Sequence, residues 1–185
     1  MKMKSLYFPA VFLLVWLLSG CGYSSPYATQ TEFAEEADGV MTLYLSMWKN
    51  QTNELGFQSM IYQDLIKWLK KSKRVRLTQD RQEAKYILEG TINSIRFEGL
   101  SYGSYEEAIE IRAITRLSYA LREKETDKIV WQRTNYIRRD NFRVKNDSVI
   151  TSDNKRKALA DISEDVAEEI YTKIFFTIAR TDKSN

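Results

Sequence analysis

The chain has 185 residues, 43% hydrophobic and 29% charged, a balance that suits a folded globular body and excludes wholesale disorder. It has no histidine and one cysteine, so Ser–His and Cys–His nucleophile pairs, His-containing metal sites, zinc–thiolate sites and an internal disulfide are all excluded. The formal net charge is +3, and Lys2 and Lys4 supply two of those charges from a leader-like start, which leaves too little positive charge for a dedicated nucleic-acid binder.

That start has three parts: the two lysines, an apolar run from Leu6 to Leu18, and Leu18-Ser19-Gly20-Cys21. The run is too short to cross a bilayer, which takes roughly 20 residues, and fits the core of a signal peptide over residues 1–20. The tetrapeptide resembles a bacterial lipobox. The resemblance implies acylation of Cys21, and this covalent lipid is the only non-protein group expected; no cofactor or metal is. Gly22 follows Cys21 where an Asp would retain the protein at the inner membrane, so sorting as in enteric bacteria implies the outer membrane.

Residues 21–38 are polar and aperiodic and read as a strap, followed by a single domain over 39–181 and a short tail at 182–185. Residues 40–48 alternate as a strand, with Met41, Leu43, Leu45 and Met47 on one face. Phe57, Ile61, Leu65, Trp68 and Leu69 predict an amphipathic helix over about 54–71. Lys67, Lys70, Lys71, Lys73, Arg74 and Arg76 cluster in its last turns and just beyond and read mainly as charge at a helix C-terminus. Arg74 to Leu77 is a short extended bridge.

Residues 85–98 predict a strand with a phase slip: Tyr86, Leu88 and Ile92 share one phase, Ile95 and Phe97 the other. One extra residue near Asn93-Ser94, a β-bulge, restores the inward phase. Residues 99–106 read as a loop. Residues 108–122 alternate, with Ile109, Ile111, Ala113, Leu117, Tyr119 and Leu121 against Glu110, Arg112, Arg116 and Arg122, as in an antiparallel strand with one wet face. A turn at Glu125-Thr126-Asp127 leads to a strand over 128–140, and residues 141–153 read as a polar loop. The last helix is expected to start at Ser152 or Asp153, with its stripe at Leu159, Ile162, Val166, Ile170 and Ile174. Phe175 and Phe176 place its end in a core or against a partner. The predicted fold is α+β: a two-layer sandwich of two amphipathic helices on a mainly antiparallel four-stranded sheet, in the order β-α-β-β-β-α.

Few residue groups carry chemistry. Gly99-Leu100-Ser101-Tyr102-Gly103 matches G-x-S-x-G, but it joins two strands in a chain without histidine, so it is no nucleophile elbow. The acidic pairs around Glu35, Glu36, Asp38, Glu106 and Glu107 lack the spacing of calcium loops or of facing catalytic carboxyls. No enzymatic activity is expected. Arg138, Arg139, Arg143 and Lys145, close to Arg133, are the candidate contacts for an anionic ligand, because guanidinium forks suit phosphates. In simple alternation Arg133 and Arg139 share one face and Arg138 takes the other.

Four segments, in order and spacing, resemble the LptE family of lipopolysaccharide-assembly lipoproteins. They are Cys21-Gly22-Tyr23, Trp48-Lys49-Asn50-Gln51-Thr52 (F-x-N-x-T in the family), Ala84 to Ile92 (A-D-x-x-L-E-G-x-I), and Glu125 to Trp131, a hairpin turn and a strand with Trp. The resemblance implies an outer-membrane lipoprotein, anchored in the inner leaflet, that plugs and helps assemble the LptD β-barrel and assists lipopolysaccharide delivery. Large barrels have polar lumens, so Arg112, Arg116 and Arg122 on the wet face, with Phe175 and Phe176, are the candidate partner-facing residues. The alternative is a periplasm-facing adaptor or activator lipoprotein, similar to CsgG-like or penicillin-binding-protein activator domains.

Overall fold

The computed structural model describes residues 40–103 and 108–181. The predicted strap, Cys21, the acidic groups at 35–38 and 106–107, and the tail fall outside these residues. Strand β1, Met41–Leu45, buries its odd-numbered side chains. The chain then steps aside and rejoins the sheet as β2, Lys49–Asn50. Helix α1, Phe57–Leu69, buries Phe57, Ile61, Leu65 and Leu69 and leads to β3, Val75–Thr78. Three long strands follow, β4 (Tyr86–Tyr102), β5 (Ala108–Glu123) and β6 (Ile129–Arg143), and then the 34-residue helix α2, Ser148–Thr181.

The predicted α+β class and its two helices hold, and the sheet needs correcting. It has six strands and is mixed, in the order β3-β1-β4-β5-β6, with β2 pairing β4. The pairs β1–β3, β1–β4 and β2–β4 are parallel, while β4–β5–β6 is an antiparallel meander. The extended bridge after α1 is β3, so β1–α1–β3 is a crossover unit. Met47 does not join the inward row. The strand breaks at Ser46, whose amide and hydroxyl both donate to the Leu88 carbonyl, and Met47 turns out to 52% exposure.

Trp48 takes the inward place instead. Its indole stacks on Tyr119 with centroids 5.7 Å apart, over Gly90. A Cβ on Gly90 would stand 2.4 Å from the indole ring, so the slot exists only because that residue has no side chain. Asn50 organises the following turn: its amide donates to the Glu54 carbonyl and to Gln58, and its Oδ1 accepts from the Thr52 amide and hydroxyl. The segments Trp48-x-Asn50-x-Thr52 and Leu88-Glu89-Gly90 are therefore one packing arrangement.

The expected bulge is present, with the β4–β5 register shifting between Ile92 and Ser94. A second register shift lies at the same level of β6, where Asn135 has a positive φ of 53°. Ser118 of β5 joins the two: its hydroxyl donates to Asn93 Oδ1 and accepts from the Asn135 amide. Residues 99–102 are not a loop but the end of β4, paired with β5 as far as Ala108. Likewise β6 runs on to Arg143, and the predicted loop at 141–153 shrinks to residues 144–147. Asp147 accepts from the amides of Val149 and Ile150 and caps α2 several residues before Ser152.

The helices run side by side in the same direction. Lys155 meets Glu54, Ser163 donates to Asp64 at 2.6 Å, and Trp68 packs on Tyr171. One core joins the helices to the inner sheet face, through Ile61, Leu65, Ile162, Val166 and Ile170 against Leu88, Ile92, Leu117 and Leu121. The sheet's other face carries no helix among the described residues. No helix of the described residues is long and apolar enough to cross a membrane, which says nothing about strands.

Candidate functional site

The uncovered face of the meander is built by register. Arg96, Ile114 and Arg139 form one cross-strand row; Ser94, Arg116 and Ile137 form the next; Glu98, Arg112 and Asn141 lie on the other side, and Glu110 faces Arg143 beyond them. Neighbouring strands lie about 4.8 Å apart, so these guanidiniums share one surface. Arg112 donates to Asn141 Oδ1 at 3.2 Å, and Arg96 stands 4.0 Å from Glu98. Arg116, Arg139 and Arg143 form no ion pair among the described residues. Five arginines against two glutamates leave this half of the face positive, and its free guanidiniums can take carboxylate or phosphate oxygens.

Arg122, at the other end of β5, differs. It bonds Glu89 at 3.3 Å and the carboxylate and carbonyl of Asp127 in the hairpin turn, so its charge is spent inside the chain. Lys145 sits exposed in the short link to α2, its backbone amide held by Thr151.

Arg138 belongs to a different cluster. The β6 bulge at Asn135 shifts the alternation, so Arg133 and Arg138 share the helix-facing side and Arg139 lies opposite, which corrects the simple phase count. Both reach Glu169 of α2, at 3.5 and 3.3 Å, and the Arg138 Nε is buried without a hydrogen-bond partner. Glu169, 18% exposed, also accepts from the Tyr119 hydroxyl at 3.1 Å and from the Tyr136 hydroxyl. Burial first, then the adjacent Glu169 carboxylate, holds both phenols well above the usual tyrosine range. They therefore stay protonated donors at all physiological pH. Sequence reasoning missed this centre. Its signal was an acid one position from the apolar stripe of α2, together with a tyrosine on the buried face of β5.

Phe175 and Phe176 are 47% and 59% exposed and pack edge to face, 5.9 Å apart, while Ile174 and Ile178 of the same turn are buried. Of the two placements expected for them, the core is excluded. The structure thus brings Arg112, Arg116, Arg139 and Arg143 together and sets Arg122, Arg138, Lys145 and the phenylalanines apart.

A family model described as LptE, lipopolysaccharide-assembly, matches residues 40–174, from the residue before β1 into the last turns of α2. The chain belongs to the LptE family. Its role accordingly lies in lipopolysaccharide assembly. Among solved structures, the rare lipoprotein B of Shewanella oneidensis superposes with a TM-score of 0.52 at 12% identity, covering 76% of this chain and 98% of that one. Lipoprotein B of Nitrosomonas europaea gives 0.53 at 12%, covering 73% and 82%. A lipoprotein of Caulobacter crescentus gives 0.52 at 11%, covering 75% and 93%. At these identities the likeness concerns the fold alone. No curated protein matches the chain. The LptE-like motifs at 48–52 and 84–92 fall within the matched region.

Proposed function

We propose that this LptE-family chain is an outer-membrane lipoprotein, anchored by acyl groups on Cys21, that sits as a plug in an LptD-like β-barrel, helps it assemble, and assists delivery of lipopolysaccharide to the outer leaflet. The observation that carries this reading is the sheet face that bears no helix among the described residues and carries Arg96, Arg112, Arg116, Arg139 and Arg143 over a largely apolar core. A wedge for a polar lumen needs an outer surface that exchanges water for polar partners at little cost, and an interior that holds its shape without the barrel. Arginines suit this exchange because the guanidinium is weakly hydrated and bonds bidentately.

The same face offers Arg139 and Arg143 to lipopolysaccharide phosphates, with Lys145 close by in sequence. Arg138 contributes only where a ligand competes with Glu169. The role is binding and scaffolding, not catalysis. The cleft of about 370 Å³ between the helices does contain two acids, yet Asp64 is held by Ser163 and Asp153 by Arg156.

The test is extraction of outer membranes in mild detergent and affinity capture of the acylated chain. Co-purification of a large β-barrel is expected, reduced by the double substitution Arg116→Glu and Arg139→Glu. A wild-type chain that always runs alone would overturn the reading, and a soluble envelope enzyme in place of the barrel would establish the adaptor role instead.

A further inference from the structure

The described chain begins beside the C-terminal end of α1. Met41 donates its amide to the Arg74 carbonyl, so the segment arriving from Cys21 enters β1 within a hydrogen bond of the turn after α1. That turn belongs to the stretch 67–76, which holds six basic residues and no acid. Lys67 is taken by Glu164 and Lys71 lies over the Trp68 ring at 3.2 Å. Lys70 and Lys73 are exposed and form no ion pair among the described residues.

The aromatic part is set by helix length. Trp68, in the last turn of α1, packs on Tyr171 of α2, and α1 stops at Leu69 while α2 continues to Thr181. Phe175 is one helical turn beyond Tyr171 on the same side of α2, where α1 no longer covers it, which is why it is bare. From Ile170 to Thr181 the sequence has Lys173 and Arg180 and no acid. Exposed aromatics beside unneutralised lysines, at the end where the described chain begins, are the composition that seats a protein on an anionic membrane surface.

We infer that this end, with Lys70, Lys71, Lys73, Phe175 and Phe176, docks on the anionic phospholipid surface of the leaflet that holds the anchor. The orientation rests on the reading of Cys21 as acylated; the binding chemistry does not. The docking fixes which end of the wedge points away from the membrane, something an acyl tether of up to about 65 Å at full extension would not do by itself.

Flotation with lipid vesicles tests it. The mature chain carrying Cys21→Ser is expected to float with vesicles of phosphatidylcholine and phosphatidylglycerol and not with phosphatidylcholine alone. Lys70→Gln, Lys71→Gln and Lys73→Gln together should weaken this binding about 100-fold. In the same background Phe176→Cys provides the sole thiol for a nitroxide label, expected to be reached by lipid-dissolved oxygen on anionic vesicles, whereas a label at Val149→Cys, at the opposite end of α2, stays in water. No flotation on anionic vesicles, or flotation indifferent to the lysines, overturns the inference. A label at 176 that stays aqueous on vesicles and is shielded only by a barrel assigns the patch to that protein and also overturns it. Failure of the anchor reads out separately, as wild-type chain isolated from membranes that does not float with neutral vesicles.

Discussion

The two faces of β5 have the same backbone and opposite chemistry. On the helix side Ala113, Thr115, Leu117, Tyr119 and Leu121 are buried, and even the polar member, Thr115, is satisfied by donating to the Arg138 carbonyl. On the other side Arg112 and Arg116 are half-exposed and answer to no helix. Contacts on the first face are fixed by packing, so they determine whether the chain folds. Those on the second are left for a partner and determine what the fold is for. Substitutions should therefore separate cleanly between the two faces.

The largest effect belongs to Leu117→Ala, which empties a fully buried site between the sheet and α2. A loss of about 2–5 kcal/mol is expected in denaturant unfolding, with binding affected only through the folded fraction. Next is Glu169→Ala, which leaves two phenols and the partly exposed Arg138 without their common acceptor. A loss of about 2–3 kcal/mol is expected, reduced from the value for a fully buried pair because Arg133 is half exposed and Arg138 more than a third exposed. Glu169→Gln should recover part of it by keeping one acceptor oxygen.

The phenols also set an alkaline limit. Their folded pKa values are raised above the unfolded value near 10, so the unfolded chain loses protons first as pH rises. Their contribution is complete below about pH 10 and declines above it. A pH series of chemical unfolding should show that decline, with a shallower slope in Tyr119→Phe. An equal slope would mean the tyrosines titrate normally.

Gly90→Ala comes after these. The added methyl must displace the Trp48 indole, which is stacked on Tyr119, so about 1–3 kcal/mol is expected. Trp48 fluorescence reports the displacement. An unchanged spectrum and midpoint would show that the indole has room to move.

How legible these faces were in the sequence depended on how local the determining contact was. The alternation of β5 and the stripe of α1 follow from periodicity alone. The β4 bulge could be read because Ile95 and Phe97 break phase with Leu88 and Ile92. The bulge at Asn135 gave no such signal: its evidence is the register shift against β5, the positive φ and the hydrogen bond to Ser118, all of which need the paired strands. Arg138 and Arg139 therefore had their faces exchanged. Gly99 to Tyr102 looked like a loop because Gly and Ser are poor strand formers, yet seventeen residues of β4 hold together through their pairing with β5. Strands as short as β2 and β3 exist only as neighbours of β1 and β4 and have no pattern of their own. The positive face was visible as separate arginines on separate segments. Its assembly required the register.

The smallest stability effect, and the sharpest test of the comparison, comes from Arg116→Ala with Arg139→Ala. Both side chains lie on the uncovered face and form no ion pair among the described residues, so thermal unfolding should change by no more than about 0.5 kcal/mol for each. Ile114, which lies in the row between Arg96 and Arg139, is only 7% exposed, and its burial gives this face a limited role in packing. Long arginine stems cover apolar surface while their heads remain in water. If they supply the cover over Ile114, Arg139→Ala should cost more than Arg116→Ala, and Arg139→Met should restore the difference while still failing to retain a barrel or an anionic ligand. Stability recovered together with binding would mean that the face acts by shape and not by charge.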